Sequence, residues 1–498
     1  MKGLAARLRY LFGTSRGLIL GTVALIALEA AFMGMLSGPM AEWGVKEFWI
    51  KLWGMKLDPL EREGRLILLY HTFAMAVVAL EVYMLTAAYK IREQHRLGIH
   101  VLVTVGYLSA MIFGLLFAYW GHNWVHHGLF LFGQSLIFFG GVWLAVAFWP
   151  WRQEHRLPPD APYLKTSGGV DIEKLAVFIA IVATLISAVY GAVPGSNFGH
   201  AFHVFLSEDI IRIPYHTPYE LAIVGHLHIM LVDIAVMAVF IVSRWTDFKG
   251  RLQKWAIPLM IIGTVIISVG AWMVVPFRPI AHHVINVGAG FLMLASLLLT
   301  IFVWRKQIEV GVARQGLTME TAGFGRKLKA LFHDILPVGA TWQMMFMNLV
   351  VTAPGVFMAI KLEFFRSILL RDEKTGLVGH WHILAFMIAT VLLLYYIDVA
   401  GLKGKARQIF GWIVVLGSDV ATVAANVLIM RRLMVPLIQE QPLVARTLLA
   451  MDISLFLFLT GLALFLLWRL VDLFRPQGRW VEEWRNPEIG VVFEEEQK

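Results

Sequence analysis

The residues in this chain most able to do chemistry are histidines set at the mouths of apolar runs. The segment LVGHWHILAF, 377 to 386, places His380 and His382 on either side of Trp381. VGHLHIM contributes His226 and His228, IAHHVINVG contributes His282 and His283, and YHTFAM contributes His71. Polar side chains are costly inside a bilayer and usually face a protein interior or a cofactor. Imidazole suits haem iron and copper. There is no cysteine, which excludes disulfides, iron–sulfur clusters, thiolate-bound haem and covalent haem attachment through Cys-x-x-Cys-His. Any redox metal here is held by nitrogen, oxygen or thioether.

Helical geometry limits how these rings share metals. At about 100° per residue, positions i and i+2 point about 200° apart. His380 and His382 therefore serve different centres on opposite sides of one helix. His282 and His283 diverge by only about 100°, and they follow Pro279, where a loosened first turn lets both reach one ion. His226 supplies a third imidazole, and three nitrogens with an open position suit a reactive copper or iron site. One such histidine alone is more often an interfacial or hydrogen-bonded residue than a ligand. Four groups in one layer argue for metal or haem.

That layer follows from the elements that carry them. The 498 residues are 58% hydrophobic and 15% charged, with mean hydropathy +0.70, too apolar for a water-exposed surface. Windows of about 20 residues, enough to cross about 30 Å of hydrocarbon, fall near 17–37, 66–88, 98–119, 128–149, 172–193, 218–242, 255–275, 281–303, 338–360, 379–400, 408–430 and 447–470. The expectation is an all-α integral membrane protein of about twelve transmembrane helices. It forms one domain over 1–498, with polar connections at 150–171 and 304–337 and a cytoplasmic tail over about 471–498.

The net charge of +9 sets orientation rather than nucleic-acid binding. About two thirds of the 43 Lys and Arg fall on the side holding both termini, as the positive-inside rule predicts. Both termini are thus expected in the cytoplasm of a multi-pass protein of the inner membrane, with the first apolar segment retained as a helix. Spans two, six, eight and ten then run from outside to inside and deliver His71, His226, His228, His282, His283, His380 and His382 to the outer half of the bilayer. His226 is expected roughly 12 Å deep.

In this order of helices the residues resemble the haem-copper oxidase superfamily, the group of terminal oxidases and nitric oxide reductases, and the similarity covers all twelve spans. HTFAM looks like the second-helix haem-ligand region, GHLHIM the sixth-helix metal histidine, IAHHVINVG the paired-histidine segment, and GHWH the tenth-helix His-x-His. The resemblance implies a subunit I-like bundle in which His71 and His382 hold a low-spin haem and His380 holds a high-spin haem. His226, His282 and His283 would hold the non-haem metal facing it. Arg431 and Arg432, in the outer loop between spans eleven and twelve, would bind haem propionates, since guanidinium matches carboxylate bidentately; an interfacial anchor is the alternative for that pair.

The departures from the family pattern are informative. Met230 stands one turn from His226 where many oxygen-reducing members carry tyrosine, and spans seven and eight contain no tyrosine. Four-electron cleavage of O₂ uses that tyrosine, whereas joining two NO molecules into N₂O and water needs two electrons. The sequence therefore favours NO reduction, with O₂ reduction as the alternative and a non-catalytic electron-relay haem protein as the alternative of another class. Nitric oxide reductases place a glutamate where Met230 stands. Asp233, seven residues after His226 and nearly on its face, is the candidate substitute ligand or proton donor, or else a buried carboxyl bonded to a neighbouring helix. The missing tyrosine favours iron over copper at the non-haem site.

His228 points away from the His226 face and reads as a supporting residue. The connections 200–220 and 121–128, rich in histidine, are a proton-entry route, a second metal site or a solvated loop. Glu81, midway along span two, belongs to a proton path or a helix contact. With no cupredoxin domain and no covalent haem motif, electrons are expected from quinol or a separate donor subunit.

Overall fold

The computed structural model describes residues 3–37, 43–57, 62–121, 123–195, 218–360 and 370–485. It is helical throughout, and among the described residues the β structure is limited to two isolated bridges, Arg156 with Val170 and Lys165 with Asp171. The helices in chain order are α1 (Leu4–Gly13), α2 (Ser15–Ser37), α3 (Val45–Trp53), α4 (Arg62–Ala88), α5 (Glu93–Trp120), α6 (Trp124–Ala147), α7 (Ile172–Gly195), α8 (Pro218–Trp245) and α9 (Arg251–Trp272). They continue as α10 (Val274–Ala313), α11 (Phe324–Leu331), α12 (Ile335–Met347), α13 (Ala353–Ile360), α14 (Leu370–Val399), α15 (Gly404–Met434), α16 (Leu437–Phe474) and α17 (Arg479–Arg485).

Among the described residues, twelve helical stretches are long and apolar enough to cross a membrane, matching the expected number. His71, His226 and His380 lie on the second, sixth and tenth of them, 155 and 154 residues apart. Each is thus on the second member of a set of four spans. Chain contacts divide the molecule into two compact units: 1–148 with 184–226 and 466–489, and 149–183 with 227–465 and 490–498.

In the first unit, α5 and α6 approach closely because their contact is made of glycine. A Cβ on Gly106 would lie 2.8 Å from the Gly133 carbonyl oxygen, and one on Gly133 would lie 2.5 Å from the Ala110 nitrogen. With lipid outside, helices associate through such close backbone packing and buried polar contacts rather than through hydrophobicity. Thr22 donates to Tyr107 at 3.2 Å, and Thr86 contacts His100 at 2.8 Å.

Residues 471–485, expected to begin a polar tail, are largely helical. The last span runs to Phe474, and α17 folds back so that Arg469, 2% exposed, pairs with Glu483 at 2.8 Å while the Tyr10 hydroxyl donates to the same carboxylate. A buried cation needs such partners, which explains why the helices continue past the apolar run.

In the second unit, α9 and α10 meet through Gly288, whose Cβ would stand 2.6 Å from the Ile267 nitrogen. The eighth span also outlasts its apolar window: α10 reaches Ala313, with Arg305 and Glu309 paired at 2.8 Å on its exposed side. Val312 is buried with Ala322 and Ala330, so α11 packs onto this extension where a polar connection was expected.

The ninth span is not a uniform helix. Between α12 and α13, residues Asn348–Thr352 form a π-helical turn. Pro354 follows, and its missing N–H removes one rung of the α ladder. Buried polar groups hold this region together: Asp419 accepts from Trp342 Nε1 at 2.8 Å and Gln343 Nε2 at 2.7 Å, and Ser418 bonds both Gln343 and Thr390. At another point the Arg407 guanidinium binds Asp334 at 2.8 Å and also Asp398, which accepts from Trp245 Nε1 at 2.6 Å.

Candidate functional site

His226 lies on α8, the last residue of the first unit. Its Nδ1 is 2.8 Å from the Ser187 carbonyl oxygen. A carbonyl only accepts, so Nδ1 carries the proton and donates, and Nε2 keeps its lone pair. That is the arrangement in which metal-binding histidines are usually held, oriented by an outer hydrogen bond. Gly191 of α7 makes room for it, since a Cβ there would fall 2.5 Å from both Cε1 and Nδ1 of the ring. The donor type, the tautomer and the glycine cradle all fit a metal on Nε2.

His71, on α4 and in the same unit, lies beside His226. The two centroids are 6.3 Å apart with planes only 6° from parallel. The resemblance assigned these rings to different centres; the structure sets them side by side. His71 lies within its helix rather than at the start, because α4 begins at Arg62.

The remaining site residues belong to the second unit. His380 is partly buried and packs on Gly355, where a Cβ would be 2.7 Å from its Cε1. That glycine follows Pro354 and the π turn, so the irregular backbone of the ninth span creates the space the ring fills. His382 is exposed, consistent with the divergence expected of i and i+2. His228 meets Trp381 edge-on at 6.2 Å, in keeping with a supporting role.

His282 is partly buried and His283 exposed. Both sit in α10 just beyond Phe277, which has φ −139° and ψ 50° and breaks the helix ahead of Pro279. The irregularity thus lies ahead of Pro279 and five residues before His282, whereas a loosened turn was expected after the proline; His282 and His283 themselves stand in α-helix. Asp233 is fully buried on α8, about two turns beyond His226. Among the described residues, no three His, Asp or Glu side chains are already gathered as a ligand set.

Arg431 and Arg432 occupy the last turn of α15 rather than a loop. A helix C-terminus favours cations. Both guanidiniums bind the carboxylate of Glu440, from Arg431 Nε at 2.7 Å and Arg432 Nε at 3.4 Å. The pair does engage a carboxylate, and it is one of the chain's own.

The 121–128 segment is a helix start rather than a solvated loop. Asn123 caps α6 by accepting from the His126 N–H at 2.8 Å, and His127 is buried against Trp124 and Phe117. His122 and the run 196–217, with His200, His203, Glu208, Asp209 and His216, lie outside the described residues. Glu81 is buried on α4.

One buried carboxyl was not anticipated. Glu29 of α2 is 4% exposed and bonded to Thr72, the residue after His71. A lone carboxyl in the otherwise uncharged run LIALEAAFM was the available signal. No protein-family model matches the chain, and no curated protein or solved structure matches it either.

Proposed function

We propose that this chain is the catalytic subunit of a membrane-bound respiratory reductase of the haem-copper oxidase type, reducing nitric oxide to nitrous oxide. In this reading its bundle is of the subunit I kind, in the cytoplasmic membrane with both termini inside, and quinol or a separate donor subunit provides electrons. His71 and His382 hold a low-spin haem, His380 a high-spin haem, and His226, His282 and His283 a non-haem iron. When bound, these groups supply electron storage and a Lewis-acid position for the reaction 2 NO + 2 e⁻ + 2 H⁺ → N₂O + H₂O. The observation that supports the reading is the His226–Ser187 bond, which leaves the Nε2 lone pair available to a metal.

The chain's residues have separable tasks. The Ser187 carbonyl fixes one tautomer of His226, so no proton need leave that ring when a cation binds. Gly191 and Gly355 let the His226 and His380 rings lie against helix backbone, which restricts their rotation. Asp233, buried on the same helix as His226, is assigned in this reading to hold or pass a proton. Met230 offers neither a proton nor an electron, in keeping with two-electron rather than four-electron chemistry.

Metal and haem analysis of purified protein, with NO and O₂ consumption measured on the same sample, tests this. Two haems and about one non-haem iron per chain, with NO turnover exceeding O₂ turnover, is the expected outcome. Copper with rapid O₂ uptake would convert the assignment to a terminal oxidase. A single haem with no other metal would reduce the chain to an electron relay.

A further inference from the structure

Glu29 sits in α2 with 4% of its surface exposed, and its partner Thr72 on α4 is fully buried. The carboxylate is bonded through Oε1 to Thr72 Oγ1, while Oε2 is buried with no hydrogen-bond partner among the described residues. Thr72 Oγ1 is also 2.7 Å from the Leu69 carbonyl oxygen. A threonine hydroxyl has one proton to give and can accept as well. When Glu29 is ionised, Thr72 donates to it. When Glu29 is protonated, its own O–H donates to Thr72, and the threonine proton turns to Leu69. Either protonation state therefore keeps the bond between them, a property expected of a group that exchanges protons.

The surroundings are apolar, with Leu68, Leu69, Phe117 and Tyr119 in one buried cluster joined by Phe32 and Met33. Gly114 of α5 closes the site from another side, since a Cβ there would come within 2.5 Å of Thr72 Cγ2. Tyr119 is the titratable group that interacts with Glu29, and it also interacts with Arg65 of α4. The same helix brings Tyr70 and His71; α3, packed on α2, brings Lys46, Glu47 and Lys51. Arg7, Arg9 and Tyr10 of α1 lie near the start of α2, roughly 20 Å along the axis from Glu29.

We propose that Glu29 is a redox-linked proton site. It binds one proton when an electron enters the haem centre at His71 and releases that proton on reoxidation. This rests on the functional reading above. The electron comes from quinol or the donor subunit and the proton from water at the outer face. One O–H bond forms at the carboxylate, and no bond to substrate changes. Neutralising a buried carboxylate offsets the negative charge added nearby, where the low dielectric makes charge interactions strong.

The sign follows from linkage. Reduction raises proton affinity at Glu29, so acid favours the reduced state. At fixed applied potential, the ratio of reduced to oxidised low-spin haem falls about tenfold per pH unit while one proton accompanies each electron. Redox titration of the purified membrane protein over a pH series should show this fall in wild type and a flat response in Glu29→Gln, which keeps a bond to Thr72. An unchanged tenfold fall in Glu29→Gln with the low-spin spectrum intact would overturn the proposal.

His71→Ala separates the two ideas: it should abolish the low-spin spectrum, and if it does not, the haem assignment at His71 fails instead. If Glu29→Gln does not fold, infrared difference spectra of wild type and Glu29→Asp decide. A protonated-carboxyl band should appear on reduction and move in the aspartate variant. Its absence, or a band that does not move, would reject Glu29.

Discussion

The motif V-G-H-x-H-I occurs twice, at 224–229 and at 378–383, and the chain secures its first histidine by different means in the two places. His226 is held by a hydrogen bond from Nδ1 to the Ser187 carbonyl, with its ring alongside His71. His380 is held by shape, against Gly355, which follows the π turn and Pro354. A hydrogen bond selects a tautomer as well as a position. A steric cradle selects position alone. At His226 the protein itself fixes the tautomer and leaves Nε2 unprotonated, whereas the contact at His380 selects neither ring nitrogen. Irregular π turns recur at functional sites because they re-aim the residues around them, and the ninth span illustrates this by presenting Gly355 to a ring on the next helix.

The largest expected effect comes from removing each ring. His226→Ala and His380→Ala should each lower NO turnover by more than about 100-fold, beyond the usual reach of outer-shell changes. Their spectra should differ. His380→Ala is expected to lose the high-spin haem, and His226→Ala to lose non-haem metal while both haems remain. Absorption spectra with metal analysis check this. Should His226→Ala lose the low-spin haem instead, the parallel His71 and His226 rings would be the axial pair, and the assignment of His382 would have to change.

A smaller effect is expected when the rings stay and their seats change. In Gly191→Ala the new methyl lies 2.5 Å from the His226 ring and must push it off the Ser187 carbonyl. Non-haem metal affinity should fall about 10- to 100-fold, the range seen when outer-shell support of a metal-binding histidine is lost. Gly355→Ala meets His380 at 2.7 Å, but the π turn beside it has slack to yield, so haem content should fall less. Equal losses in the two variants would show that the Ser187 bond adds nothing to the seat provided by glycine.

Much of this arrangement was legible in the sequence. Hydropathy windows gave the number of spans and which span carries each histidine. The divergence of His380 from His382 needed only the helical period. The seats of the rings were not legible, because Gly191 and Gly355 matter through the helices opposite them and a single chain of letters does not say which helices are neighbours. The continuation of α10 to Ala313 and the folding back of α17 were hidden for a related reason. Charged residues such as Arg469 and Glu483 read as solvent-facing until their partners are known. Arg431 and Arg432 were placed one turn too far out because an apolar window stops at the first charge, while the helix continues through it.

The smallest effect tests whether the shape-held seat depends on the polar network beside it. Trp342 and Gln343 of α12 both donate to Asp419, fixing the first part of the ninth span against α15. Trp342→Phe removes one of these bonds and leaves the other. Loss of a hydrogen bond to a charged group costs about 1.5–3 kcal/mol, so thermal unfolding in detergent should shift to lower temperature. The loosened α12 leads directly into the π turn and Gly355, so binding at His380 should weaken modestly. His226 depends on Ser187 of α7, in the other unit, and its metal content should be unchanged. A variant that loses both equally would mean that the two copies of the motif share one mechanical support, and the contrast between a bonded seat and a shaped one would not survive.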